Sequence, residues 1–154
     1  MKTKLLMTAI VLMATVTAVS AGGLNDEERK CFDAINQMRA KVGLVPFEFC
    51  SELAVASRAW SAKLREERRL YHGASRENCA RGFECGTATF RQWMNSPGHR
   101  SLLMRNSIAS AGIGAFGEKS ATYWTFRVRD REFVPRVVET TKTTERIKKR
   151  TRFR

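Results

Sequence analysis

The two strand-like segments of this chain come last, after helical sequence, and do not alternate with it. From Tyr123 to Arg129 the residues alternate strictly, with Trp124, Phe126 and Val128 on one face and Thr125, Arg127 and Arg129 on the other. That is the period-two pattern of a β-strand. Ala111-Gly-Ile113-Gly-Ala115 reads as a second strand whose glycines permit close backbone approach. Gly117-Glu-Lys-Ser120 between the two predicts a hairpin. Helices first and strands last favour an α+β layered domain over a doubly wound one.

The helical part has clear punctuation. Asn25-Asp-Glu-Glu28 reads as a helix start, with Asn as cap, Glu three residues later and acids in the first turn. Phe32, Ile35, Met38 and Val42 recur on one face, and Gly43 is the expected stop. Pro46 breaks a short extended connection from Leu44 to Phe49. A second helix is expected from Ser51, with Leu53, Ala56, Trp60 and Leu64 at helical spacing and a charged, solvated run from Lys63 to Arg69. A third, shorter helix is expected over Thr87 to Asn95, with Phe90, Trp93 and Met94 on one side. Ser96-Pro97 then reads as a cap followed by proline at the first helical position. That places His99 in the first turn of a fourth helix ending near Asn106.

Both ends of the chain differ from this domain-like middle. Lys2 and Lys4 precede an apolar run from Leu5 to Val19 that exits through Ser20-Ala21, the three parts of a secretory signal peptide. The run is short for a membrane span. Residues 1–21 are therefore read as a leader cleaved near Ala21, and the protein as secreted or periplasmic. Beyond Pro135 the sequence is Thr-rich and then Arg/Lys-rich, without apolar material for a core. Residues 134–154 are read as a disordered basic tail.

Charge and cysteine content constrain partners. Without Lys2 and Lys4 the chain has 26 basic and 15 acidic residues, a net +11, of which the segment from Arg136 onward carries +6. A basic exported protein collects on anionic surfaces such as lipid headgroups or acidic glycans, and the tail is the expected grip. Export makes nucleic acid the least expected partner. All four cysteines, Cys31, Cys50, Cys79 and Cys85, follow the leader. An even count in an exported chain predicts two disulfides. Three pairings are open, and the sequence-local one, Cys31–Cys50 with Cys79–Cys85, is preferred. Buried free thiols are the alternative.

The chemistry concentrates between the only two histidines. His72-Gly-Ala-Ser-Arg-Glu77-Asn78 opens the stretch and Trp93-Met-Asn-Ser96-Pro-Gly-His99-Arg closes it. Two imidazoles and a carboxylate can hold Zn²⁺ while leaving a position open for water, but residue types alone are a weak signal. The motifs are more specific. Together with Asn36-x-x-Arg39, Pro46…Leu53-Ala54, Gly112-Ile-Gly114 and Tyr123-Trp-Thr125, they resemble the CAP superfamily in order and spacing. This is the group of cysteine-rich secretory proteins, antigen 5 and pathogenesis-related 1, also called the SCP domain; Ser-Pro-Gly-His-Arg resembles its bacterial branch. The domain is assigned to residues 22–133.

The resemblance implies an α-β-α sandwich with a central antiparallel sheet and a surface cleft in which two His and two Glu can bind a divalent metal. His72 and His99 match the histidines and Glu77 the first acid. Ser96 stands where the second acid belongs, and Arg76 replaces the glycine before Glu77, placing a cation beside the cleft. The expected cleft is thus His72, Glu77, Ser96 and His99, with His72 and His99 as ligands for at most weak binding of Zn²⁺ or another divalent ion. The expected function is a non-enzymatic binding module for a lipid, sterol, glycan or surface protein. A metal- or His-dependent, protease-like hydrolase is the alternative, and a structural envelope protein with a vestigial cleft a third. Fold alone does not choose among them.

Overall fold

Asn25 caps the first helix by a reciprocal box: its side chain accepts from Glu28 N at 2.8 Å and Glu28 Oε2 accepts from Asn25 N at 3.0 Å. The computed structural model describes residues 23–131; the expected leader and basic tail lie outside them. Four helices follow in order: α1 (Asp26–Lys41), α2 (Ser51–Glu66), α3 (Gly86–Asn95) and α4 (Pro97–Leu103). Four strands, β1 (Glu48–Phe49), β2 (Glu77–Arg81), β3 (Ile108–Phe116) and β4 (Tyr123–Asp130), form one sheet in the order β1-β3-β4-β2. The three long strands are antiparallel, as expected, and the two-residue β1 adds to β3 in parallel, so the sheet is mixed. β3 and β4 form the expected hairpin, their loop carrying a 3-10 turn at Lys119–Ala121.

The sheet is covered on both faces, which makes the domain an α-β-α sandwich. On one side Trp124, Phe126 and Val128 of β4 pack with Ile113 of β3 against Phe32 and Ile35 of α1, Trp93 of α3 and Leu103 of α4. On the other side lies α2. Its buried face is Ala54, Ser57, Ser61 and Leu64, and the first three are small residues that let the helix approach closely. A Cβ on Gly112 would overlap the Ala54 backbone nitrogen, and one on Gly114 would overlap that of Arg58. Ser57 Oγ donates to Gly112 O at 3.2 Å and Ser61 Oγ to Gly114 O at 2.9 Å, with Thr125 Oγ1 also 2.9 Å from Ser61. The polar face of β4 thus faces α2 through hydrogen bonds. Of the expected face Leu53, Ala56, Trp60 and Leu64, Leu64 is fully buried and the other three are half-buried.

Two further departures concern α1 and the cysteines. Val42, expected on the buried face, is 56% exposed, and Arg39 is buried instead. Arg39 donates to the carbonyls of Val45, Leu103 and Arg105 and stacks 3.6 Å over the Phe47 ring. One turn earlier, the Asn36 amide brackets Phe47, donating to its carbonyl and accepting from its N–H. Asn36 and Arg39 therefore fix the segment leading into β1. The expected Cys31–Cys50 and Cys79–Cys85 bridges are not formed; all four thiols are unpaired. Cys79 points to the α2 face, beside Leu64 and Tyr123, while Cys85 caps α3 on the opposite face, so the sheet separates them. Cys50 caps α2, with its backbone N–H on Ala111 O.

Candidate functional site

β2 is an edge strand, and the site forms where that edge meets α4 and the 70–76 turn. A cavity of about 290 Å³ opens there, lined by His72, Ser75, Glu77, Asn78, Ser96, His99 and Arg105 among others. All four residues expected at the cleft, His72, Glu77, Ser96 and His99, border it.

Packing on α2 explains the His72-Gly73 pair. Trp60 stacks edge-on to Tyr71 with ring centroids 5.2 Å apart, and a Cβ on Gly73 would overlap the Trp60 indole. Glycine therefore lets the turn lie flat on Trp60 and aim its N–H at Glu77 Oε1. His72 is exposed and places Nδ1 3.5 Å from the same carboxylate oxygen. The second oxygen of Glu77 accepts from Arg127 Nε at 2.9 Å, across the β2–β4 ladder in which the two residues are direct partners. Arg127 also sits 5.5 Å from the Trp60 ring centroid. Glu77 is 5% exposed, so its charge is held by a buried ion pair as well as by the turn.

His99 arrives from the other side. Pro97 opens α4, Leu102 and Leu103 anchor it in the core, and Asn78 Nδ2 donates to His99 O at 3.0 Å. Asn78 thus ties the first turn of α4 to β2. His99 Nδ1 is buried with no hydrogen-bond partner. Burial, and then the nearby His72, lower the His99 pKa, so its imidazole is neutral over more of the acid range than a free one. Ser96 caps α4 by position without a side-chain cap bond. It lies between this cavity and a second one of about 510 Å³ formed with Phe83, Arg91 and Gln92.

The cation beside Glu77 is Arg127, and Arg76 is not the one that holds it. Arg76 pairs with Asp130 at the end of β4, which balances the charge expected to oppose a metal. Arg127 was visible in the sequence only as a member of the polar face of β4; its cross-strand partner follows from register. Cys79 is the other residue that sequence reasoning missed. Its Sγ lies 3.6 Å from Glu77 Oε1, and ligand atoms of His72, Glu77 and Cys79 all fall within 4.8 Å of one another. Burial, and then the Glu77 charge, push the Cys79 thiol up to about 12.

These donors fit a divalent ion only in part. His72 and His99 would supply neutral imidazole nitrogens, and the unpartnered His99 Nδ1 is a buried lone-pair or N–H position in need of a partner. Glu77 would have to share its oxygens with Arg127 and Gly73 N. Cys79 would have to give up a proton that burial holds on. The ligand atoms that approach one another are those of His72, Glu77 and Cys79, while the expected second imidazole, His99, lines the same cavity outside that group.

Comparison with known proteins agrees with this architecture. Residues 32–128 match the cysteine-rich secretory protein family, CAP. The uncharacterized protein YkwD of Bacillus subtilis is 25% identical over 131 residues, covering 72% of this chain and 50% of YkwD. The chain thus spans about half the length of that curated relative. An extracellular SCP-domain protein of Bacillus anthracis superimposes with a TM-score of 0.62 at 18% identity, over 71% of this chain and 45% of its own. An outer surface protein of Borrelia burgdorferi gives 0.60 at 20% identity, over 71% of this chain and 99% of its own.

Proposed function

The chain belongs to the cysteine-rich secretory protein (CAP) family, and from that premise we propose that it is an exported, non-enzymatic binding module. In this reading its His-lined cleft takes a small polar ligand, with a weakly bound divalent ion between His72 and His99. The observation that carries the reading is the convergence of His72, Glu77 and His99 on one cavity in which His99 Nδ1 has no partner. A metal there would act as a bridge to an oxygen-bearing group of the ligand. The serines, Arg105 and the imidazoles would orient that group.

The lining is polar and the volume of about 290 Å³ is small, which favours a glycan or an acidic group of a surface partner over a sterol in this cleft. An extracellular location is supported by the leader-like residues 1–21 and by similarity to proteins described as extracellular or outer-surface. Among the described residues no helix is long and apolar enough to cross a membrane. The basic segment from Arg136 onward would add affinity for anionic lipid or wall material. The protonated Cys79 thiol offers no nucleophile at neutral pH, which weighs against a thiol hydrolase.

Zinc titration by calorimetry tests the cleft. Binding in the micromolar range or weaker is expected, lost in both His72→Ala and His99→Ala, with the folded state checked by circular dichroism. Equal binding by both variants would remove the cleft from the proposal. Turnover of peptide or ester substrates that both variants abolish would replace the binding module by a hydrolase.

A further inference from the structure

Cys31 and Cys85 are remote in sequence and adjacent in the fold. α3 packs on α1 so tightly at its first residue that a Cβ on Gly86 would stand 3.0 Å from Cys31 Cβ. Gly86 N donates to Glu27 Oε2 at 2.9 Å, which pins the start of α3 against the same face of α1. Cys85, the residue before Gly86, therefore lies beside Glu27, Lys30 and Cys31, and its charge is felt by both Lys30 and Cys31. The other two thiols are elsewhere: Cys79 beyond the sheet and Cys50 at the start of α2.

We infer that Cys31 and Cys85 are a dithiol pair that closes to a disulfide between α1 and α3 when the protein meets a disulfide oxidant. This inference is independent of the function proposed for the cleft. A disulfide needs Cβ atoms about 3.5–4.5 Å apart and Cα atoms about 4.4–6.8 Å apart, and the close approach of Gly86 to Cys31 brings the neighbouring Cys85 into the vicinity from which such a bond closes. Closure requires the Cys85 side chain to turn from Thr87, whose Oγ1 lies 3.5 Å from its Sγ, towards Cys31.

The two sulfurs have opposite environments, and this sets the order of events. Cys85 is half-buried at the N-terminus of α3, where the Thr87 hydroxyl and then the Ala88 N–H lower its pKa. It supplies the attacking thiolate. Cys31 is 0% exposed, and burial pushes its thiol well above the ordinary range. Cys85 Sγ attacks one sulfur of the oxidant, the other sulfur leaves as a thiolate, and a mixed disulfide forms. Cys31 then gives its proton to the thiolate released from the oxidant, attacks Cys85 Sγ and expels the second thiolate. The protein loses two electrons and two protons, and the oxidant disulfide becomes two thiols.

The full chain, reduced and then incubated with oxidised glutathione, tests this directly. Non-reducing peptide mapping is expected to link the Cys31 and Cys85 peptides, with Cys50 and Cys79 still open to alkylation after unfolding. In Cys50→Ser/Cys79→Ser, oxidation should still raise Tm by about 10 °C or more, reversibly with dithiothreitol. A Cys31–Cys50 or Cys79–Cys85 link would overturn the inference. So would a persistent glutathione adduct on Cys85, or four free thiols after oxidation.

Discussion

Two glutamates are buried against the sheet, each paired with an arginine from another element, and they serve different ends. Glu28, 0% exposed, is saturated: it accepts from Asn25 N, from Arg58 Nε and Nη2 and from Ala115 N at 2.9 Å. It joins the α1 start to α2 and β3. Glu77 also accepts from an arginine and a backbone N–H, but one wall of its environment is the cavity shared with His72 and His99. A carboxylate enclosed on all sides is a structural clamp. The same group left open on one side can be shared with a ligand.

The sharpest test of this contrast is Glu28→Gln. The amide offers one acceptor oxygen in place of two and points an N–H₂ at donors, leaving the Arg58 guanidinium without its partner. Removing one member of a buried ion pair costs about 3–5 kcal/mol. A urea midpoint within experimental error of the parent would show that Glu28 is no clamp. Glu77→Gln should cost less, about 1–3 kcal/mol, because Glu77 itself borders the cavity, where water can reach its place. It should also weaken zinc binding, which Glu28→Gln should leave intact wherever the protein remains folded. Equal losses in both variants would erase the distinction.

The same contrast marks what the sequence disclosed. Glu28 was legible as a capping-box residue because that motif depends only on a spacing of three. Its bonds to Arg58 and Ala115 depend on how α2 lies on β3, which spacing does not encode. The cleft residues were legible through their motifs, since His72, Glu77, Ser96 and His99 are brought together by short turns and an edge strand. Arg127 was not, because its meeting with Glu77 requires the β2–β4 register. The preferred cysteine pairing is not met for a related reason: sequence proximity places Cys79 with Cys85, whereas alternation along β2 turns Cys79 to the far face of the sheet. The α2 face was read only in part because hydrophobic periodicity favours Leu53 and Trp60. The glycines of β3 instead select the small residues Ala54, Ser57 and Ser61.

The open side of the Glu77 region should also respond to pH. His99 has a lowered folded-state pKa caused first by burial and then by His72. Its neutral form is thus the one the fold favours, so this contribution is full above the unfolded value of about 6.5. It declines as pH falls below that value and levels off once the folded imidazole titrates. His72, Glu77 and Arg105 line the same cavity and are held constant by comparing the parent with His99→Gln. The parent should lose more stability than the variant between pH 7 and 5, by a few degrees in Tm. An identical pH dependence would mean that the His99 imidazole is as well solvated in the folded protein as in the unfolded chain.

The smallest effect is expected at Arg76, and it discriminates between two cations. If Arg76 faced the cleft, Arg76→Ala would relieve repulsion and tighten zinc binding at low salt. Its pairing with Asp130, both side chains about two-fifths exposed, predicts otherwise. An exposed ion pair contributes about 0–1 kcal/mol, and a charge already balanced by Asp130 exerts little field on the imidazoles. Zinc affinity in Arg76→Ala should therefore stay within about twofold of the parent. Arg127→Ala should change affinity and stability together, because it leaves Glu77 buried without its cation. A larger effect from Arg76 than from Arg127 would reverse the assignment of the cation that holds Glu77, and with it the separation of clamp from cleft.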